Sequence, residues 1–86
     1  MPEYFIVTIT DTDKRFETDL EIPSRLPFAE YKAKLLEILK IMDGYTFHAW
    51  HDYRLLFKNR ALSGGDTLAS AGAFDGSRLV ADRVQR

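Results

Sequence analysis

Two runs near the start of the chain alternate between apolar and polar positions. In the first, Phe5, Val7 and Ile9 fall on one side and Tyr4, Ile6, Thr8 and Thr10 on the other. Its β-branched and aromatic residues suit a half-buried strand. Asp11-Thr12-Asp13 reads as a turn. The second run sets Phe16, Thr18, Leu20 and Ile22 against Arg15, Glu17, Asp19 and Glu21, which predicts an antiparallel hairpin with one face buried. Pro23 ends the second strand because it has no N–H for a ladder. The spacing then changes to three and four. Phe28, Tyr31, Leu35, Ile38, Leu39 and Met42 form one stripe, and Glu30, Lys34, Glu37 and Lys40 take the opposite side. This predicts a helix to about Met42, with Ser24 as its cap and Pro27 in its first turn. The stripe must cover the inner face of the hairpin, and Asp43-Gly44 stops the helix.

Alternation returns at Tyr53, Leu55 and Phe57, interleaved with Arg54 and Lys58, which predicts a third strand. Asn59-Arg60 reads as a turn. Gly64-Gly65 permits backbone angles closed to other residues, and Asp66 can cap a short turn carrying Thr67 and Leu68. Asp75-Gly76 signals a tight turn before a last strand that faces Leu79 and Ala81 inward. The order strand, strand, helix, strand, short strand, turn, strand predicts an α+β domain over residues 1–86, the β-grasp. A mixed sheet of four to five strands wraps one helix there, and the first and last strands pair at its centre. Ala71 and Ala73 stand where β-grasp chains of the ubiquitin-like kind, which this stretch resembles, usually carry larger residues, so the core beneath the last turn is expected to be refilled by Phe74.

Composition narrows the functional classes. With 86 residues and 45% apolar side chains, the chain is near the lower end of what one core supports without staples. There is no cysteine, so disulfides, thiolate metal sites and a cysteine nucleophile are excluded, which fits a reducing compartment such as the cytoplasm. A formal charge of −1 and a pI near 6.1 offer no field for nucleic acid or anionic lipid. The Met1-Pro2-Glu3 start runs directly into a strand pattern, and no run of eighteen apolar residues follows. Neither an export signal nor a membrane insertion is expected.

Candidate chemistry is sparse. His48, His51 and Asp52 carry metal-ligand donors, but ligands three apart converge on a helix. Gly44 and the surrounding aromatics argue against a helix there, so a solvent-facing histidine pair is expected and no metal or other cofactor. The serines lie at caps and turns without the strained nucleophile motif, so no catalytic residue is expected and the chain is read as a non-enzyme. Within the aromatic segment 45–53, Phe47 and Trp50 could form a binding lip or a lid on the core. The lid is favoured, since burying either ring contributes roughly 2 to 3 kcal/mol.

The sheet face turned away from the helix is the candidate binding surface. Alternation places Tyr4, Ile6, Thr8, Arg54, Leu56, Lys58, Arg78, Val80 and Asp82 on it. Ile6, Leu56 and Val80 are expected side by side as an apolar strip bordered by charge, with Tyr4 and Arg54 beside them, contacting a protein partner.

The stretch Tyr53 to Leu68 with Asp75-Gly76-Ser77-Arg78-Leu79, together with Tyr31-Lys32-Ala33-Lys34-Leu35, resembles ubiquitin-like proteins, which usually work by being bound. Leu56 matches the centre of the patch by which ubiquitin is recognised. Asp82 replaces another apolar member of that patch, so ubiquitin receptors are not expected to bind. The chain ends Asp82-Arg83-Val84-Gln85-Arg86 without the terminal Gly-Gly that an activating enzyme needs, which argues against a processed modifier or sulfur carrier. Asp19-Leu20-Glu21-Ile22-Pro23, Leu26-Pro27-Phe28 and the helix end Leu36-Glu37-Ile38-Leu39-Lys40-Ile41 look more narrowly like the bacterial YukD/EsaB family. That resemblance implies an unconjugated cytoplasmic accessory of a type VII secretion system, the machine that exports small Trp-X-Gly helical-hairpin proteins. Its implied partners are the secretion ATPase or membrane components. A stand-alone ubiquitin-like adaptor unrelated to secretion is the alternative.

Overall fold

Seven elements build the chain in the computed structural model, which describes residues 3–84. Strands β1 (Tyr4–Asp11) and β2 (Glu17–Pro23) precede the helix α1 (Phe28–Met42) and a single helical turn, α2 (Gly44–Phe47). Strands β3 (Tyr53–Phe57), β4 (Arg60–Ala61) and β5 (Arg78–Arg83) complete the order. They form one five-stranded sheet in the order β2-β1-β5-β3-β4. β1 and β5 run parallel at its centre, and the other neighbours are antiparallel. This is the β-grasp that the element order predicts. The Met1-Pro2 start and the Gln85-Arg86 end, on which the readings of the two termini partly rest, lie outside the described residues.

The core lies between the sheet and α1. Phe5, Val7, Ile9, Leu55, Leu79 and Ala81 supply it from the strands, the inward set that alternation assigns. From the helix come Phe28, Tyr31, Leu35, Leu36 and Leu39. Leu36 is therefore buried, whereas Met42, expected on the stripe, is exposed. The last turn of α1 keeps Leu39 fully buried but leaves Ile41 and Met42 on its solvent side.

The start of α1 is held differently from the expected serine cap. Pro27 occupies the cap position without a side-chain bond. The first free amides are taken by a distant loop: Phe28 N–H donates to the Asp66 carbonyl at 2.8 Å and Ala29 N–H to the Gly64 carbonyl at 3.0 Å. Ser24 is wholly buried, and its N–H and hydroxyl donate to the Glu3 carbonyl at 2.9 and 3.1 Å. The Gly64-Gly65 pair does not adopt left-handed angles; the positive-φ glycines are Gly72 and Gly76. Gly64 is needed for proximity, because a Cβ there would stand 3.2 Å from that of Ala29. Asp66 accepts the Ser63 N–H at 2.9 Å. The following turn is capped by Thr67, whose hydroxyl accepts the Ser70 N–H at 2.9 Å.

Two further turns close the hairpins, and a third leads into β5. The Asp11 carboxylate accepts the N–H groups of Arg15 and Phe16 at 2.7 and 3.0 Å and folds the β1–β2 loop. Lys58 and Asn59, at φ 52° and 65°, form the two-residue link between β3 and β4, one position earlier than the expected Asn59-Arg60 turn. Two successive positive φ values are the mirror-image turn that matches strand twist. Gly76, at φ 95°, supplies the left-handed residue of the turn before β5.

Candidate protein-binding face

The outward residues divide into two apolar groups with a polar bar between them. Leu56 stands directly opposite Val80 across the β3–β5 ladder, and both are half-buried. One step along, Arg54 faces Asp82 and the two form an ion pair; the Thr12 hydroxyl also donates to the Asp82 carboxylate, at 3.2 Å. This end of the face is an apolar pair flanked by a fixed, self-neutralised charge pair.

Ile6 does not join that pair. Val80 lies opposite Thr10, four residues along β1 from Ile6, about 13 Å at strand rise. The cause is the parallel register. Ile6 is held by the turn that precedes β5: the Asp75 carboxylate accepts its N–H at 2.7 Å, and Gly76 N–H donates to its carbonyl at 2.7 Å. Arg78, opposite Thr8, reaches over β1 to the Glu17 carboxylate at 2.6 Å, and the Thr8 hydroxyl donates to Asp19 at 2.7 Å. These contacts form the bar. On its far side Tyr4 and Ile6 are 53% and 50% exposed.

Phe74 belongs with Tyr4 and Ile6 and not with the core. It is 57% exposed and sits in the turn that bonds Ile6, its N–H donating to the Ser77 hydroxyl at 2.9 Å. Space beneath the last turn is filled by Leu68 and Ala73, both buried. The expected refilling by Phe74 is thus corrected: the neighbouring Ala73 takes the inward position, and Phe74 points outward. Its place beside a tight turn was the available signal. A further exposed apolar tip, formed by Ile41, Met42 and Tyr45, caps the far end of α1.

The aromatic segment acts as the core lid. Phe47 is buried, edge-on to Trp50 at 4.7 Å and to Phe16 at 5.1 Å between ring centroids. The segment begins with the helical turn α2, contrary to the expectation of no helix. Asp43 caps it: its carboxylate takes the Thr46 hydroxyl at 2.7 Å and the Thr46 N–H at 3.2 Å. The Thr46 hydroxyl first, then its N–H, hold the Asp43 carboxyl below the usual carboxylate range. His48 and His51 are both exposed, and His48 Nδ1 donates to the Gly44 carbonyl at 3.1 Å. Among the described residues no group of three or more His, Asp or Glu side chains is placed to hold a metal. No helix among them is long and apolar enough to cross a membrane.

Two buried tyrosines complete the electrostatics. The Tyr53 hydroxyl donates to the Lys32 carbonyl at 2.7 Å, and burial first, then the nearby Tyr31 and Asp52, push it up from the ordinary tyrosine range. Tyr31 is also buried, its hydroxyl has no hydrogen-bond partner among the described residues, and burial pushes it up to about 12.

A five-stranded mixed sheet in the order β2-β1-β5-β3-β4 packed on one main helix defines a ubiquitin-like β-grasp protein. This chain belongs to the YukD family: the family described as WXG100 protein secretion system (Wss), protein YukD, matches residues 4–80. Solved structures repeat the fold. The ubiquitin-like domain of the Mycobacterium tuberculosis type VII secretion system protein EccD1 is 23% identical, with 95% of this chain and 99% of that chain covered, at a TM-score of 0.74. The EccD5 ubiquitin-like domain from Mycobacterium xenopi is 15% identical, with 99% of each covered, at 0.81. Caldiarchaeum subterraneum ubiquitin is 20% identical, with 96% of each covered, at 0.66. Comparison with curated proteins gave no match.

Proposed function

We propose that this protein is an unconjugated protein-binding module acting in the cytoplasm as an accessory of a type VII secretion system. It binds a secretion ATPase or membrane component through the outer face of its sheet. Family membership over residues 4–80 carries this reading. The likeness of its fold to ubiquitin-like domains of EccD proteins supports it. The contact uses Leu56 and Val80 with Arg54 on one side of the Arg78–Glu17 bar and Tyr4 and Ile6 on the other. It works by binding, as no titratable cluster suited to catalysis lies on that face among the described residues, and it calls for no cofactor.

Deletion of the chromosomal copy tests this, with export of the small Trp-X-Gly proteins as the readout. Export should fall on deletion, return with the wild-type chain, and fail to return with Leu56→Asp or Ile6→Asp expressed at equal level. Unchanged export after deletion would leave the stand-alone adaptor as the better reading.

A further inference from the structure

The only long open edge of the sheet among the described residues is β2, since the opposite edge, β4, has two residues. In an antiparallel pair, alternate residues exchange both backbone bonds and the intervening ones point theirs away. Ser24 N–H donates to the Glu3 carbonyl. By register, Ile22, Leu20 and Thr18 are then the positions bonded to β1, opposite Phe5, Val7 and Ile9. The other side of β1 agrees, because Ile6 and Thr8 direct their amide groups toward the turn and start of β5. Glu17, Asp19 and Glu21 consequently present their N–H and C=O groups outward, along a line of about 13 Å. Pro23, which has no N–H, closes that line.

Side chains on the two sides of this edge differ sharply. Between β2 and α1 runs a groove of 220 Å³ whose apolar lining is Leu20, Ile22, Pro23, Tyr31, Leu35 and Ile38, with Lys34 on its helix side and Glu21 at its β2 rim. On the other side stand the carboxylates of Glu17, Asp19 and Glu21. Glu17 is joined to Arg78 and Asp19 to the Thr8 hydroxyl, while Glu21 forms no ion pair among the described residues.

We infer that this edge is a second docking site, one that adds an extended peptide segment of a partner protein as a further strand beside β2. Strand addition takes its affinity from main-chain bonds and its specificity from alternate side chains. The recognised segment therefore alternates, with aliphatic residues entering the groove and lysine or arginine facing Glu17, Asp19 and Glu21. Lys34 repels a basic residue from the groove side, which fixes that segment's face. A second copy of this chain does not fit. Antiparallel pairing of β2 with itself sets carboxylate against carboxylate, and like charges directly opposite destabilise a ladder. The site meets the outer-face contact proposed above only at Glu17, which pairs with Arg78, and does not depend on that reading.

The test is an amide-resolved NMR titration of the full chain with an end-capped peptide of four Lys-Val repeats. Its Glu-Val counterpart and two N-methylated forms serve as controls, one methylated at every lysine and one at every valine. Saturable shifts are expected at residues 17–22 of β2 and 31–38 of α1, with Tyr4, Leu56 and Val80 unmoved. The Glu-Val peptide should bind about tenfold more weakly, as several cross-strand charge pairs change sign. One methylated form should lose binding while the other keeps it, because only one set of amides faces the edge; which set is lost reports strand direction. Glu21→Lys should weaken the Lys-Val peptide in the same assay. Equal binding of both methylated forms, no preference for lysine, shifts confined to the outer face, or no saturable shift at all would overturn the inference.

Discussion

The Asp75 carboxylate accepts the Ile6 N–H at 2.7 Å, while the neighbouring Gly76 N–H donates to the Ile6 carbonyl at the same distance. This two-way clasp joins positions far apart in sequence, and it sets the parallel register of β1 on β5. Asp75→Ala should lower stability by about 1 kcal/mol, the usual net worth of such a bond. Gly76→Ala should cost a similar amount, about 1 kcal/mol, because its φ of 95° is closed to a Cβ. Urea unfolding of both variants gives the check, with unchanged midpoints contradicting the clasp.

Tyr31 and Tyr53 should respond oppositely to loss of the hydroxyl. Tyr53→Phe removes the bond to the Lys32 carbonyl and leaves that acceptor short, so a loss of about 1 kcal/mol is expected. Tyr31→Phe removes a buried hydroxyl with no partner among the described residues, whose desolvation costs about 1 kcal/mol or more. Its melting temperature should rise. A fall in Tyr31→Phe would indicate a partner for that hydroxyl.

The same pair sets an alkaline limit. Tyr31 ionises near 10 when unfolded and at about 12 when folded, and Tyr53 is raised for the same first reason, burial. Between those values the unfolded chain releases a proton that the folded chain keeps, so stability falls as pH rises. The contribution is complete below about pH 10. Unfolding free energy should therefore decline from about pH 10 upward, and less steeply in Tyr31→Phe; a flat profile through pH 11.5 would contradict the burial of these rings.

Phe74 and Ala73 offer a contrast between neighbours. Phe74→Asp should shift stability by no more than about 0.5 kcal/mol, as an exposed substitution does. Ala73→Asp places an unpaired carboxylate in the core and should unfold the chain or cost several kcal/mol. Thermal melts of the two variants decide this.

Period and turn chemistry made the architecture legible. The inward sets Phe5-Val7-Ile9 and Tyr53-Leu55-Phe57 followed from a repeat of two, and α1 from spacings of three and four. What alternation fixes is a face, whereas neighbours on that face depend on register. Ile6 and Val80 therefore share a face but not a row, because the Asp75-Gly76 clasp sets the offset through bonds formed only after folding. The same limit hid the capping of α1 by the Gly64 and Asp66 carbonyls and the burial of Ser24 against Glu3, both long-range contacts with no local signature. Met42 satisfied the helical stripe yet is exposed, while Leu36, one position off it, is buried; spacing defines the centre of a stripe and not which of its flanks the core covers. The acidic outer row of β2 was visible as Glu17, Asp19 and Glu21, but its meaning required knowing that β2 is an edge.

Binding of a secretion component by the outer sheet face is tested most directly by affinity purification of the tagged chain from detergent-solubilised native cells, with proteins identified by mass spectrometry. Leu56→Asp and Ile6→Asp serve as matched controls, each verified by far-UV circular dichroism and a cooperative melt. A type VII secretion ATPase or membrane component should be recovered with the wild-type chain and lost with at least one variant. Recovery of that component undiminished by both variants, or recovery of soluble proteins unrelated to secretion in its place, would contradict such binding.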